Sequence, residues 1–358
     1  MSDSNSKPDD EQPRTEPQPA HFSVSTPRHE DGSALRRYER PHENPMASTP
    51  PLDGEVVPFR ELDPVLEASA LSDGGRALLR GLLRLGRTAV FPGGGAGIEY
   101  GALLKTAARP DHVGAHVQEA AGYLHEREVD LLVVPGMSGY PIGAMYAVVS
   151  GIPAVLLKKQ RHASSSGPGS APGSAPGGDT ARYPPGSFVI PSYTGDGDVV
   201  MSADLDALRD IVDGILIRQV AAQREESTLT LSVRVAGADD IIDKATMSQA
   251  VSESALIVVK AAIARFVAGH RERSGDDREI AEEITVAGWV TPLIKGYNRP
   301  HEHLHRWFGI VPFAGLNVTS VHLDPPAIGI EGVGIVSFAD SDDITAPEHP
   351  PSGSDSRV

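Results

Sequence analysis

The chain of 358 residues carries 32 Lys and Arg against 48 Asp and Glu, a formal charge of −16, and no Cys. The missing Cys exclude disulfides, thiolate metal sites and a cysteine nucleophile. The acidic balance argues against sequence-independent binding to nucleic acid, which needs clustered basic residues to neutralise phosphates.

The N-terminus (MSDSNSKPDDEQPRTEPQPA) lacks the basic region and apolar core of a signal peptide, and no apolar stretch has the length of a membrane span. A cytoplasmic protein with no membrane contact is expected. Residues 1–52 are rich in Pro, Ser, Asp and Glu and too poor in apolar residues to offset the entropy of ordering, so a disordered extension is expected there. The apolar spacing predicts a helix over 73–85, a short strand over 88–91 running into Pro92-Gly93-Gly94-Gly95, and a helix over 110–126. Residues 130–134 (DLLVV) form a continuous apolar run, the pattern of a strand buried on both faces. A helix over 141–150 closed by Gly151 and a strand over 154–157 complete a compact βαβ unit, whose crossover is expected to be right-handed.

The stretch RHASSSGPGSAPGSAPGG, 161–178, has the composition of a mobile linker, and a flexible internal loop is expected over 161–186. Beyond it, Ser202 is expected to cap a helix reaching 224, with Leu205, Leu208, Val212, Ile215 and Leu216 on one face. Alternation at Leu229, Leu231, Val233 and Val235 predicts a strand that runs into Asp239 and Asp240. A long helix follows, with Met247, Val251, Ala255, Val259, Ala262 and Phe266 on one side and Gly269 near its end. Further strands are predicted over 286–294 and 317–323, and a disordered tail over 340–358. The alternation implies one α/β domain over 53–339, with an open, mostly parallel sheet and helices on both faces.

In such sheets ligands bind beyond the carboxyl ends of the strands. Two turns there carry suitable chemistry. Gly136-Met137-Ser138-Gly139 offers backbone N–H groups at a helix start, an arrangement suited to phosphate or pyrophosphate, although glycine turns also join strand and helix with no ligand. In the second turn, Asp239 and Asp240 are able to hold the two hydroxyls of a ribose or a hydrated Mg²⁺ ion, with Thr246, Ser248 and free helix N–H groups taking a phosphate. The alternative is that Asp243 is only a helix N-cap and the acid pair is solvated.

In combination these segments resemble the type I phosphoribosyltransferase family. DLLVVPGMSGYPIGAMYAVVSGIPAVLLKK, 130–159, is similar to its strand-turn-helix-strand with a basic pair at the end, and the Ser/Gly/Pro stretch lies where its flexible loop lies. ADDIIDKATMSQA, 238–250, stands where its ribose-phosphate signature falls, but with Asp243-Lys244-Ala245-Thr246 in place of a glycine-containing loop. The segment from Phe91 through Gly97 and Tyr100 to Pro110 looks like the entry region of the orotate branch, and Thr291-Pro-Leu-Ile-Lys-Gly and Val318-Thr-Ser-Val look like closing strands. The resemblance implies transfer of ribose 5-phosphate from phosphoribosyl pyrophosphate to a nucleobase or related heterocycle, with release of pyrophosphate. Asp239 and Asp240 would hold the ribose and Mg²⁺. Thr246 and Ser248 would hold the 5′-phosphate, in a substrate-binding turn that includes Asp243, Lys244 and Ala245, and Ser138, Gly139 and Lys158 or Lys159 would hold the pyrophosphate. The loop near Arg182, Ser192 and Tyr193 would close over them, and a homodimer is implied. A non-catalytic nucleotide-binding or regulatory protein on the same fold is the alternative that the altered loop favours.

A different class is raised by His301-Glu302-His303-Leu304-His305, which matches the H-E-x-x-H pattern of zinc hydrolases. Pro300 and Gly309 confine it to a short segment, and the competing expectation is an exposed histidine-rich loop between strands.

Overall fold

The structure, a computed structural model, describes residues 27–39, 49–50, 52–90, 96–161, 182–191 and 198–340. Three two-residue strands, β1 (Arg28–His29), β2 (Arg36–Arg37) and β3 (Val56–Val57), precede helices α1 (Leu62–Ala68) and α2 (Asp73–Leu85). Ser72 caps α2 by accepting the Gly75 N–H at 3.1 Å. The antiparallel pair β4 (Arg87–Val90) and β5 (Ala96–Glu99) leads through one-turn helix α3 (Gly101–Leu104) to α4 (Pro110–Glu126), which opens on a proline. The expected βαβ unit follows as β6 (Leu131–Pro135), α5 (Tyr140–Ser150) and β7 (Ala154–Arg161), with Gly151 in the left-handed conformation after α5.

Next come β8 (Arg182–Tyr183), β9 (Phe188–Pro191), β10 (Asp198–Ser202) and α6 (Leu205–Ala222). The chain then forms β11 (Thr228–Ala238), β12 (Ile241–Ile242), α7 (Thr246–Ser274) and β13 (Glu279–Lys295). Helix α8 (Pro300–Phe308) and strands β14 (Phe313–Leu323), β15 (Pro326–Ile330) and β16 (Gly334–Ser337) end it.

The centre of the main sheet is a run of parallel neighbours in the order β7-β6-β11-β13-β14. Antiparallel β10 and β9 extend it beyond β7, and antiparallel β15 and β16 beyond β14. All of β6 is buried because its side chains alternate between two cores. Leu131 and Val133 join Leu208, Val212, Val251 and Val259 of α6 and α7, whereas Leu132 and Val134 join Leu124, Ile142 and Tyr146 of α4 and α5. The sheet is thus open and mostly parallel with helices on both faces, as the sequence predicts.

Five features depart from the sequence reading. Residues 28–38, placed above in a disordered extension, hold Leu35 and Tyr38 buried, and residues 182–186, given above to the flexible loop, place Tyr183 in the same small core as Leu35, Val189 and Val200. Asp204, not Ser202, caps α6, because Ser202 is spent in β10 opposite Lys158. Strands β7 and β13 run on into polar residues because partners exist for them. Lys158–Arg161 pair with β10, and Glu279–Glu283 pair with the start of β11. The His-rich segment is helix α8, not a loop, since Pro300 suits a first helical turn and left-handed Gly309 ends it. Residues 162–181 of the expected flexible loop, with Ser192, Tyr193 and most of both terminal segments, lie outside the described residues.

Packing is tight where β11 meets β13. Trp289 is fully buried, its indole N–H donates to Ser252 Oγ at 2.9 Å, and its ring lies across its register partner Gly237. A Cβ built on Gly237 would stand 2.1 Å from Trp289 Cε2. Gly237→Ala is therefore expected to lower the unfolding free energy by about 1–3 kcal/mol or more, read as a lower urea midpoint.

Candidate functional site

Parallel pairing determines where the site lies. Gly237 of β11 is level with Val133 of β6, so two residues further on Asp239 comes level with Pro135 and the turn after it. The geometry agrees. A Cβ built on Gly139 would lie 2.8 Å from Asp239 Oδ1 and 2.9 Å from the Pro135 carbonyl, so only glycine lets the turn pass this close to the acid. In the turn the Gly136–Met137 peptide is cis, Ser138 and Gly139 follow, and α5 begins. The Tyr140 hydroxyl donates to the Leu157 carbonyl at 2.5 Å, tying the turn to β7.

The acid pair is buried, with Asp240 only 1% exposed. Asp239 Oδ1 accepts the Asp240 N–H at 2.9 Å. Asp240 Oδ2 accepts the Tyr100 hydroxyl at 2.9 Å and pairs with Lys105 Nζ at 3.2 Å. Burial, reinforced by the neighbouring Asp240 charge, pushes the Asp239 carboxyl well above the usual carboxylate range. Behind the pair, the Tyr146 phenol is pushed up by burial and then by the two acids, and its hydroxyl meets His116 Nε2 at 2.7 Å. His116 is fully buried and stacked on Phe313 at 5.5 Å.

The second turn is built differently from a solvated cap. Asp243 does not cap α7. Its carboxylate pairs with Lys295 Nζ at 3.0 Å and accepts the Asn298 amide at 2.5 Å. The residue before α7 is Ala245, in the left-handed conformation at φ 60°, ψ 4°, and no side chain caps the helix. An alanine held there costs about 1 kcal/mol relative to glycine, so the turn keeps a glycine-like path without the glycine. Thr246 and Ser248 are buried in the first turn of α7, where backbone N–H groups lack intrahelical partners.

The structure thus brings Ser138, Gly139, Asp239, Asp240, Asp243, Ala245, Thr246 and Ser248 to adjoining turns at one end of the sheet. Lys244 is half-buried within the second turn, and Lys159 is exposed on β7. Lys158 stands at the edge. Its ammonium bonds Asp204 Oδ2 at 2.9 Å, yet its charge still opposes the burial-driven rise of the Tyr140 phenol. Sequence reasoning missed Tyr100, Lys105, Lys295 and Asn298. A single lysine closing an apolar strand, as in Thr291-Pro-Leu-Ile-Lys295, was the available signal for one of them. Tyr100 and Lys105 carry none, because they reach Asp240 across 135 or more residues of sequence only through the fold.

Mg²⁺ requires near-ideal octahedral oxygen ligation and keeps several waters. The acid pair does not fit it. The Asp240 side chain is 2% exposed, one of its oxygens already receives two donors, and Asp239 Oδ1 is held by a backbone N–H. On α8, His301 and His305 are exposed while His303 stacks on Trp307 at 5.3 Å. Among the described residues no group of three or more His, Asp or Glu is placed to hold a metal ion, and no helix is long and apolar enough to cross a membrane.

No protein-family model matches the chain, and no curated protein does. Among solved structures it is similar to adenine phosphoribosyltransferases. The one from Thermoanaerobacter pseudethanolicus is 15% identical with a TM-score of 0.36, the match covering 66% of this chain and 98% of that one. That from Giardia lamblia, complexed with 9-deazaadenine, is 14% identical at 0.37, and that from Rhodothermus marinus 14% identical at 0.38, each match covering 68% of this chain and 97% of the other. At such identity the likeness says nothing about what this chain binds.

Burial holds the His116 imidazole neutral down to about pH 3, whereas the unfolded chain takes up that proton near 6.5. Its contribution to stability is therefore complete above pH 6.5 and is lost as pH falls toward 3, by up to about 1.4 kcal/mol per pH unit. His116→Gln, which keeps a polar partner for Tyr146, is expected to flatten this slope in urea unfolding at pH 7, 5.5 and 4.

Proposed function

We propose that the adjoining turns after β6 and β11 bind the ribosyl 5-phosphate part of a nucleotide-like ligand, and that the protein is a phosphoribosyltransferase. The observation that carries the reading is the approach of Asp239 to Gly139, which puts a carboxylate for sugar hydroxyls beside a turn able to receive a pyrophosphate. In this reading Asp239 and Asp240 orient the ribose, and the start of α7 with Thr246 and Ser248 receives the 5′-phosphate through N–H and hydroxyl donors. Backbone donors of Ser138 and Gly139 stabilise the leaving group. The bond from C1 of the sugar to pyrophosphate breaks, pyrophosphate leaves with the electron pair, and a nitrogen of the heterocycle forms the new bond and gives its proton to water.

A second reading, ligand binding without transfer, is favoured by one observation. Lys158, a cation that would assist the leaving group, is engaged by Asp204 at 2.9 Å. Calorimetric titration with phosphoribosyl pyrophosphate, paired with pyrophosphate release over a panel of nucleobases, separates the two. Transfer predicts saturable binding, weakened at least about tenfold in Asp239→Asn/Asp240→Asn, together with base-dependent pyrophosphate release. Saturable binding with no release from any base would leave the second reading, and no heat from the unaltered chain at millimolar ligand would end both.

A further inference from the structure

Tyr100 and Lys105 sit at the two ends of the same one-turn helix, α3, and both reach one oxygen of Asp240. The helix is anchored between them by Leu103 and Leu104, 1% and 3% exposed in the core around α2. Two apolar residues inside the turn thus aim the polar ones at its ends. The Lys105 ammonium also stands 4.6 Å from the centre of the Tyr100 ring, a second favourable contact that holds it in place. Its side chain is 39% exposed whereas that of Asp240 is 2% exposed, so the ammonium stands between the buried carboxylate and water.

A carboxylate oxygen offers about two acceptor directions, and Oδ2 of Asp240 has both filled. A divalent ion would have to expel the lysine and uncover the carboxylate to ligate there. The positive charge that a buried acid needs is already supplied by the chain. The part of the pair that faces the turn at Gly139 is Asp239, 9% exposed, whose carboxyl is also hydrogen-bonded to the Asp240 side chain.

We infer that Lys105 is the resident cation of the acid pair, occupying the place of a divalent metal, so that the site takes a ribosyl phosphate without Mg²⁺. This rests on the ribosyl 5-phosphate reading given above and adds which charge completes the site. Lys105 acts here as a positioning residue, fixing Asp240 for the ligand.

The test is calorimetric binding of ribose 5-phosphate to the full chain, in EDTA and in millimolar Mg²⁺, for the unaltered protein, Lys105→Met and Lys105→Arg. The expected result is a dissociation constant that Mg²⁺ changes by less than about twofold in the unaltered protein and in Lys105→Arg. Lys105→Met, which keeps the apolar stem, should bind at least about tenfold more weakly in EDTA and recover with Mg²⁺. Binding by the unaltered protein that requires Mg²⁺ would overturn the inference and leave the ribosyl-phosphate reading standing. Metal-independent binding that Lys105→Met leaves unchanged would also overturn it. No binding by the unaltered protein in either buffer would remove both.

Discussion

The parallel pairing of β6 with β11 is the constraint on which the rest depends. It is fixed by burial on both faces. Leu131 and Val133 enter the core beneath α6 and α7, and Leu132 and Val134 enter the one beneath α4 and α5. A slip of one residue would exchange these two sets and misfit both cores, so the register is strongly specified. That register sets Asp239 level with the turn after β6, and the packing needs no side chain on Gly139. The site is therefore a consequence of core packing.

Burying two adjacent acids at this position has an energetic consequence that the surroundings offset. An unpaired carboxylate in a dry interior costs several kcal/mol, and two side by side repel each other. Asp240 is matched by Lys105 and Tyr100, while Asp239 stands as the acid whose proton affinity is raised. One turn along, Asp243 is matched in the same way by Lys295 and Asn298. Each cation comes from an element other than the one carrying its acid. The acid-rich turn thus links the segment after β5 and the end of β13 to the head of α7.

The helices and strands of the central layer were legible in the sequence because their patterns are local. The apolar run of β6, the helical spacing of α2 and α4 and the long stripe of α7 each depend on neighbours a few residues away. The turns after β6 and β11 were legible as candidate sites for the same reason, since small residues and paired acids follow strands there. What the sequence hid depends on distant partners. The extension of β7 into Lys158–Arg161 requires β10, and the role of Lys105 requires Asp240. Ala245 shows a different limit, in that a left-handed backbone was unforeseeable from a residue that ordinarily avoids it.

The whole chain is strongly acidic, whereas the acids at the two turns are paired with cations beside them. A chain at −16 repels an anionic ligand at long range, so binding one requires short-range donors that screening and burial leave effective. The two turns balance their acids internally. With Asp240 set against Lys105 and Asp243 against Lys295, the acids' charges are largely cancelled within a few ångströms. The start of α7, the positive end of its helix dipole, lies beside these paired acids. Balanced acids, the left-handed turn at Ala245 and a helix start without a side-chain cap thus lie side by side at one end of the sheet.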